Sequence, residues 1–350
     1  MNARLKQFIS QFDHQKIDAY LVTNEANITY LTEFPVSESW LLVFPRQVFY
    51  ITDARYTLEA GQGLKGISVA EYKKSMVPKV FELMEQRKAK ILGFDDRHVS
   101  LAKFREMEKR CPAGMKLTAT PDIAENLRQL KEKSEIDLIR KALKLNLRAY
   151  TYLKTVVRPG VTEKQVLAKL ERYVKKAGAG FSFPPIIASG PNSCYPHAKV
   201  TDRKIKNNEP VLIDMGIDIQ GYKSDLTRMF FLGRIPRLVS DVNAKVKTAQ
   251  LKAITKIRSG VRVSQVDHEA RNHLAKNHLA KYFGHSLGHG VGLEIHEAPR
   301  LSSTNAAVLK ENMVVTVEPA VYLPNKFGIR IEDMVLVTKK GCEVLSGNID

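Results

Sequence analysis

Cysteine is scarce in this chain and falls into no pattern. Of 350 residues only Cys111, Cys194 and Cys342 are cysteines, far apart, with no C-x-x-C pair and no even set. That excludes a disulfide framework and points to reduced thiols in a cytoplasmic protein. Long apolar runs are missing too: none approaches the roughly 18 residues needed to span a bilayer. The opening MNARLKQFISQFDHQ sets Leu5, Phe8, Ile9 and Phe12 at helical spacing among charges, an amphipathic helix and not a signal peptide. Acidic residues are in deficit, 37 against 55 basic ones, for a net charge of +18. The basic residues are dispersed, and no helix-turn-helix, zinc-finger or aromatic RNA-binding pattern goes with them. A solvated, lysine-rich surface follows, with neither nucleic acid nor membrane as partner.

What is present fits two domains. Hydrophobic residues make up 44% of the chain, enough to build their cores. Residues 1–125 alternate short apolar runs with helical text. WLLVF and QVFYIT read as two strands joined at Pro45-Arg46, KILGFDD as another, and SLAKFREMEKRC as a helix starting at Ser100. This is an α/β domain with no glycine-rich phosphate loop and no metal cluster, in which Asp53, Asp95 and Asp96 sit at strand ends or turns. A long helix follows. Ser134 and Asp137 resemble a capping box, Ile136, Ile139, Leu143, Leu147, Tyr150, Leu153 and Val157 form one stripe, and Pro159-Gly160 ends it. The second domain is placed at 126–350.

That domain repeats itself. RPGVTEKQV at 158–166 returns as RSGVRVSQV at 258–266, each copy following an amphipathic helix and leading into another. Two apolar, acid-bearing strands come later in each half: PVLIDMG and GYKSDLTRMFFLG, then MVVTVEPAVY and GIRIEDMVLVT. Gly221 precedes Asp225 by the same interval that separates Gly328 from Glu332. A duplicated unit with approximate two-fold symmetry is implied, and the seam between its halves is a natural pocket.

The acids need a partner. A hairpin with its loop at 219–220 or 218–221 sets Asp214 directly opposite Asp225, with Cβ atoms about 4.5–5.5 Å apart. Two ionised carboxylates among Val211, Leu212, Ile213 and Leu226 require a shared proton, an arginine or a metal. Glu318 and Glu332 read as two further strand acids. Arg228 and Arg330 offset part of the charge, and each acid alone would be a salt-bridged strand residue. Four acids at symmetric spacing point instead to metal. In GHSLGHGVGLEIHE, Gly288, Gly290 and Gly292 exclude a helical H-E-x-x-H pair. His289 then projects from an extended segment as one ligand, while His268, His273 and His278 read as surface or packing residues. Four carboxylates and one imidazole exceed the needs of one zinc and suit two divalent ions, Mn²⁺ or Co²⁺ first, with Zn²⁺ also compatible. The chemistry is metal-assisted hydrolysis, of an amide above all. A Cys194–His197 nucleophilic pair has only spacing in its favour.

The motifs SGPNSCYPHA, VLIDMG…SDLTR, GHSLGHGVGLEIHE, VTVEP and GIRIED, in that order, resemble the pita-bread metallopeptidases, which include aminopeptidase P, prolidase and methionine aminopeptidase. The resemblance runs from about residue 126 to the end, and residues 1–125 are similar to the N-terminal domain of the creatinase/prolidase type. It implies an α+β fold: a pita-bread domain with duplicated halves behind a smaller α/β domain. Carried over, Asp214 binds one metal, His289 and Glu318 the other, and Asp225 and Glu332 bridge. Glu318 doubles as general base, His296 stabilises the oxyanion, and His197 and His285 hydrogen-bond substrate carbonyls or shuttle protons. Arg330 holds the surroundings of Glu332. Arg300 of HEAPR is a separate candidate, an arginine that would meet a free C-terminal carboxylate and favour dipeptides. The implied substrates are peptides with proline second, cut before the proline, and the implied assembly is a homodimer. Methionine aminopeptidase fits less well, because its core usually stands alone. A non-catalytic binding module is a second reading, opposed by the five intact ligands. Pro184-Pro185 departs from the acid and threonine that many relatives carry.

Overall fold

Trp40–Val43 and Val48–Thr52, two joined strands as read from the sequence, pair antiparallel within a six-stranded sheet of the computed structural model, which describes residues 1–347. Residues 348–350, counted above in the second domain, lie outside the described residues. The chain divides into two units, Met1–Arg128 and Gln129–Asp350.

In the first unit the sheet runs in the order Ser68–Glu71, Val48–Thr52, Trp40–Val43, Ala19–Val22, Ile91–Phe94, Lys116–Ala119. Val77, Val80, Phe81 and Met84 of helix Met76–Gln86 and Met107 of helix Leu101–Arg110 are buried with Leu42, Ile51 and Leu92 of the sheet. Each such side chain contributes about 1.5–3 kcal/mol by leaving water. Ser100 caps the Leu101–Arg110 helix through the Lys103 N–H. The amphipathic N-terminal helix spans Ala3–Ile9; Phe8 meets Tyr20 edge-on at 5.1 Å, and Phe12 lies against the same ring.

One sequence expectation fails in this unit. Asp95, His98 and Glu125 gather as a group with metal-ligand spacing, where no cluster was foreseen. The hydrogen bonds explain the gathering without an ion. Asn24 Oδ1 caps helix Glu25–Thr32, so its Nδ2 faces His98 Nδ1 at 3.2 Å. Nδ1 is therefore the acceptor, and Nε2 carries the proton that it donates to Glu125 Oε1 at 3.0 Å. Asp95 lies beside the Glu125 carboxylate. Burial, then the Glu125 charge, push its carboxyl up to about 7.

In the second unit the long helix spans Lys133–Val156. Its box is Glu132 with Glu135, not Ser134 with Asp137; the Glu132 N–H donates to Glu135 Oε2 at 2.8 Å. A carboxylate at the first turn also complements the helix dipole, which a serine does not. The duplication is explicit in the backbone. Gly160 N–H donates to Ile205 O and Gly260 N–H to Leu309 O; Thr162 bridges Lys204 and Arg262 bridges Val308. Both glycines sit at φ +88°, a left-handed conformation that a side chain would strain. Each half pairs two helices, Lys133–Val156 with Glu163–Lys176 and Arg237–Lys256 with Val263–Lys276. The larger sheets are a three-stranded one (Leu226–Phe231, Pro210–Met215, Ile186–Ser189) and a five-stranded one centred on Val314–Val317, while Ala320–Leu323 pairs with Phe327–Arg330 and Ile217–Ile219 pairs with Tyr222–Lys223 and Gly180–Phe181 in two smaller sheets.

Candidate metal centre

Asp214 lies on strand Pro210–Met215 and pairs with Thr227, two residues from the expected Asp225. The turn explains the slip. Gln220 and Gly221 both have positive φ, 54° and 84°, and Asp218 Oδ1 accepts the Gly221 N–H at 2.9 Å. The two-residue loop is thus 220–221, one place later than read, which moves every partner by two. Asp225 stands outside the ladder, between Tyr222–Lys223 and Leu226–Phe231. There the chain crowds Gly216, where a Cβ would come within 2.1 Å of Ser224 O. Asp225 and Thr227 still share a face of the chain by their spacing of two.

Glu318 and Glu332 are not inside strands either. Glu318 falls between Val314–Val317 and Ala320–Leu323, and Glu332 between Phe327–Arg330 and Asp333–Val337. In both places the chain leaves one sheet for another. Pro319, lacking an N–H, breaks the first ladder.

Two residues that the sequence reading missed hold these breaks from behind. The Tyr150 hydroxyl lies 2.9 Å from Ile213 O and 2.5 Å from Leu226 O, carbonyls flanking Asp214 and Asp225. Gln250 Nε2 lies 3.1 Å from Val317 O and 3.2 Å from Ile331 O, flanking Glu318 and Glu332. Their offset equals that of the repeat, so the duplication itself was the signal. Thr227 was also missed: its hydroxyl donates to Glu332 Oε2 at 2.7 Å and accepts from Arg330 Nε at 3.1 Å.

All ten side chains singled out from the sequence (Asp214, Asp225, His289, Glu318, Glu332, His197, His285, His296, Arg300 and Arg330) line one cavity of about 1470 Å³. Cys194 is not among the lining residues, so the structure gives no support to a Cys194–His197 pair. His289 Nε2 lies 3.3 Å from Glu318 Oε1 and 3.5 Å from Asp225 Oδ2. Asp225, His289 and Glu332 each offer a ligand atom within 4.8 Å of the others. Ligand atoms about 2.1 Å from a shared ion stand about 3.0–3.4 Å apart, so this spacing suits one. His289 Nδ1 donates to Gly290 O at 3.1 Å, which leaves Nε2 to face the acids.

The charges make the same point. Asp214, Asp225 and Glu332 are 8%, 5% and 1% exposed, and Arg330 is the guanidinium buried with them. Arg330 Nη2 donates to Asp214 Oδ2 at 2.5 Å, yet Asp214 Oδ1 is buried with no hydrogen-bond partner. Burial, then the neighbouring acids, push Asp225 and Glu332 well above the carboxylate range. Burial raises Asp214 as well, with Arg330 opposing. Glu318 is half-buried, and the hydrogen bond and charge of His289 outweigh its desolvation and hold it at about 2. Divalent cations fit this donor set: oxygen-rich, over-acidic, with an orphaned carboxylate oxygen.

The remaining histidines differ in their freedom. His285 is engaged on both sides. Its Nδ1 donates to Ser286 O at 2.8 Å, so Nε2 accepts from the Tyr322 hydroxyl at 3.1 Å. Tyr322 in turn accepts from Arg330 Nη1 at 2.5 Å. Burial keeps His285 neutral. His296 is exposed, its ring 4.4 Å from that of His289, edge-on. His197 is exposed on the loop after Gly190–Cys194, where Arg330 Nη1 holds the preceding Pro196 carbonyl at 3.1 Å. Arg300 is exposed and reaches Ser286 Oγ at 3.3 Å.

Comparison with known proteins agrees over nearly the whole chain. The model of metallopeptidase family M24 matches residues 137–339, and that of the creatinase/prolidase N-terminal domain matches residues 4–130. A Xaa-Pro dipeptidase of Pyrococcus horikoshii is 33% identical over 99% of this chain and 97% of its own. The solved structure of a Xaa-Pro dipeptidase from Bacillus anthracis superposes with a TM-score of 0.94 at 32% identity, over 99% of this chain and 97% of that one. An X-Pro aminopeptidase structure from Thermotoga maritima gives 0.88 at 35% identity, over 95% and 96%.

Proposed function

The chain belongs to metallopeptidase family M24, and from that premise we infer that it hydrolyses the amide bond between a residue and a following proline. The observation that carries this reading is the buried group of four carboxylates around His289, whose Nε2 faces Asp225 and Glu318. The enzyme is a metallopeptidase, and a non-catalytic module on the same fold is not favoured.

Asp214, Asp225, His289, Glu318 and Glu332 would hold two divalent ions. Mn²⁺ or Co²⁺ suits so many oxygens, and Zn²⁺ is compatible. Such ions supply polarisation of the substrate carbonyl and a water acidified for attack. The protein's own groups do the rest. Glu318, at the mouth of this acidic group, accepts the proton of the attacking water. His296, exposed beside His289, donates to the oxyanion. His197 hydrogen-bonds a substrate carbonyl. His285, with both ring nitrogens engaged, acts by steadying Tyr322 and Arg330.

Arg300 at the cavity wall would pair with a free carboxylate and favour dipeptides. The matched relatives include both a dipeptidase and an aminopeptidase, so the substitution decides. Arg300→Ala should lower kcat/KM on Ala-Pro about tenfold or more and spare Ala-Pro-Gly; equal losses on both remove the arginine's role. Turnover of Ala-Pro with added Mn²⁺ or Co²⁺ that stops on chelation is the primary test. No metal-dependent turnover on any Xaa-Pro peptide sinks the assignment. A cytoplasmic homodimer accompanies this proposal, and sedimentation of the purified chain tests its size.

A further inference from the structure

His296 sits on a turn, residues 291–296, that has neither helix nor strand. Its base is closed by the pairing of Gly290 with Glu297. The turn is filled by a carboxylate. Glu297 Oε1 accepts the Glu294 N–H at 3.0 Å, and Glu297 Oε2 meets Lys131 Nζ at 3.0 Å. A Cβ at Gly292 would lie 2.7 Å from both Glu297 oxygens, so glycine makes room for the carboxylate. Both charged side chains are out of water: Lys131 is 1% exposed and Glu297 6%. Lys131 is fixed in turn, its N–H donating to Asn312 O at 2.9 Å just before strand Val314–Val317. That strand also accepts the Val291 N–H, at Val314 O, and pairs with the short strand bearing His289.

An ion pair so dry is a poor device for stability alone, since desolvation offsets most of its attraction. It is a good device for fixing a turn. We propose that the Lys131–Glu297 pair is a positioning element that holds the His296 imidazole against His289 and over the cavity. Glu297 follows His296 directly, so a carboxylate locked at both oxygens leaves the neighbouring Cα little freedom. With Lys131 removed, Glu297 Oε2 loses its buried cation, and the carboxylate turns toward water and takes the turn with it.

This inference rests on the peptidase reading, and its test separates the two. The substitution is Lys131→Met, similar in length and apolar, assayed in the metal-loaded full chain on Ala-Pro. The expected result is a kcat lowered about tenfold or more, with KM within about twofold and metal content unchanged. In a His296→Ala background the same substitution should have no further effect, because Lys131 acts through His296. Lys131→Arg should keep most activity. The second readout needs no turnover: ring NMR signals of His296 in the zinc-loaded protein, sharp in the parent, should broaden or double in Lys131→Met. If Lys131→Met fails to fold, Glu297→Gln takes its place in the same measurements. Additive losses with His296→Ala, or unchanged His296 signals, overturn the proposal. An inactive parent with the NMR change present would sink the peptidase reading and leave the positioning role standing.

Discussion

Removing the cations should make the second unit less stable as pH rises, and the sign follows from the geometry. Without cations, Asp214, Asp225, Glu318 and Glu332 crowd together beside the buried Arg330 guanidinium, and Asp225 and Glu332 retain protons because burial and the neighbouring acids oppose ionisation. Their folded pKa values lie above the ordinary values of 3.8 and 4.5. At these two groups the folded state then binds more protons than the unfolded one, so their contribution is full below about pH 4 and falls as pH climbs through the raised values. With ions bound the slope reverses, since ligands must be deprotonated to hold them. At a free ion concentration about 1,000 times Kd the gain is about 4.1 kcal/mol. For a unit of this size that is about 8–16 °C in Tm. Chelation at neutral pH should also draw in about two to three protons, on His289 Nε2, Asp225 and Glu332. Melting curves at about pH 5.5 and pH 8.5, with and without chelator, read the first effect. Calorimetric titration in two buffers of different ionisation enthalpy reads the second. A metal-free protein that melts alike at both pH values, or chelation with no proton uptake, would refute the reasoning.

Other outcomes follow from single contacts. Gln250→Leu removes the amide between Val317 and Ile331 and should weaken metal binding about 10–100-fold with the fold intact, measured by Mn²⁺ titration. Asp95 carries a raised carboxyl, about 7 against 3.8, so its ionisation destabilises the first unit between those pH values and above. Asp95→Asn should therefore match the parent near pH 4 and exceed it in thermal stability above pH 7, as seen by hydrogen exchange of residues 91–128. Protection factors in the parent that do not fall with rising pH contradict the raised Asp95 carboxyl.

Much of this molecule was legible in its residues. Glycine spacing, the repeat and the apolar flanks of each acid are local signals, and local signals survive without coordinates. The register of the Asp214 hairpin was not legible, because a two-residue loop can sit one place earlier or later with the same apolar pattern. Only the positive φ of Gln220 and Gly221, with the Asp218 contact, picks between them. The capping box failed for a related reason: serine and glutamate both cap, and the helix start decides which one does.

The sequence by itself determined which side chains could bind cations, since residue type and alternation settle ligand chemistry and the buried face. It also determined that the chain has two alike halves. Tertiary structure alone decided that Tyr150 and Gln250 clamp the acid-bearing segments, and that Lys131 reaches Glu297 across 166 residues. It decided too that Arg330, Tyr322 and His285 form one line of contacts. Those are pairings between distant parts of the chain, set by how helices and sheets close on one another, and no short-range pattern encodes them.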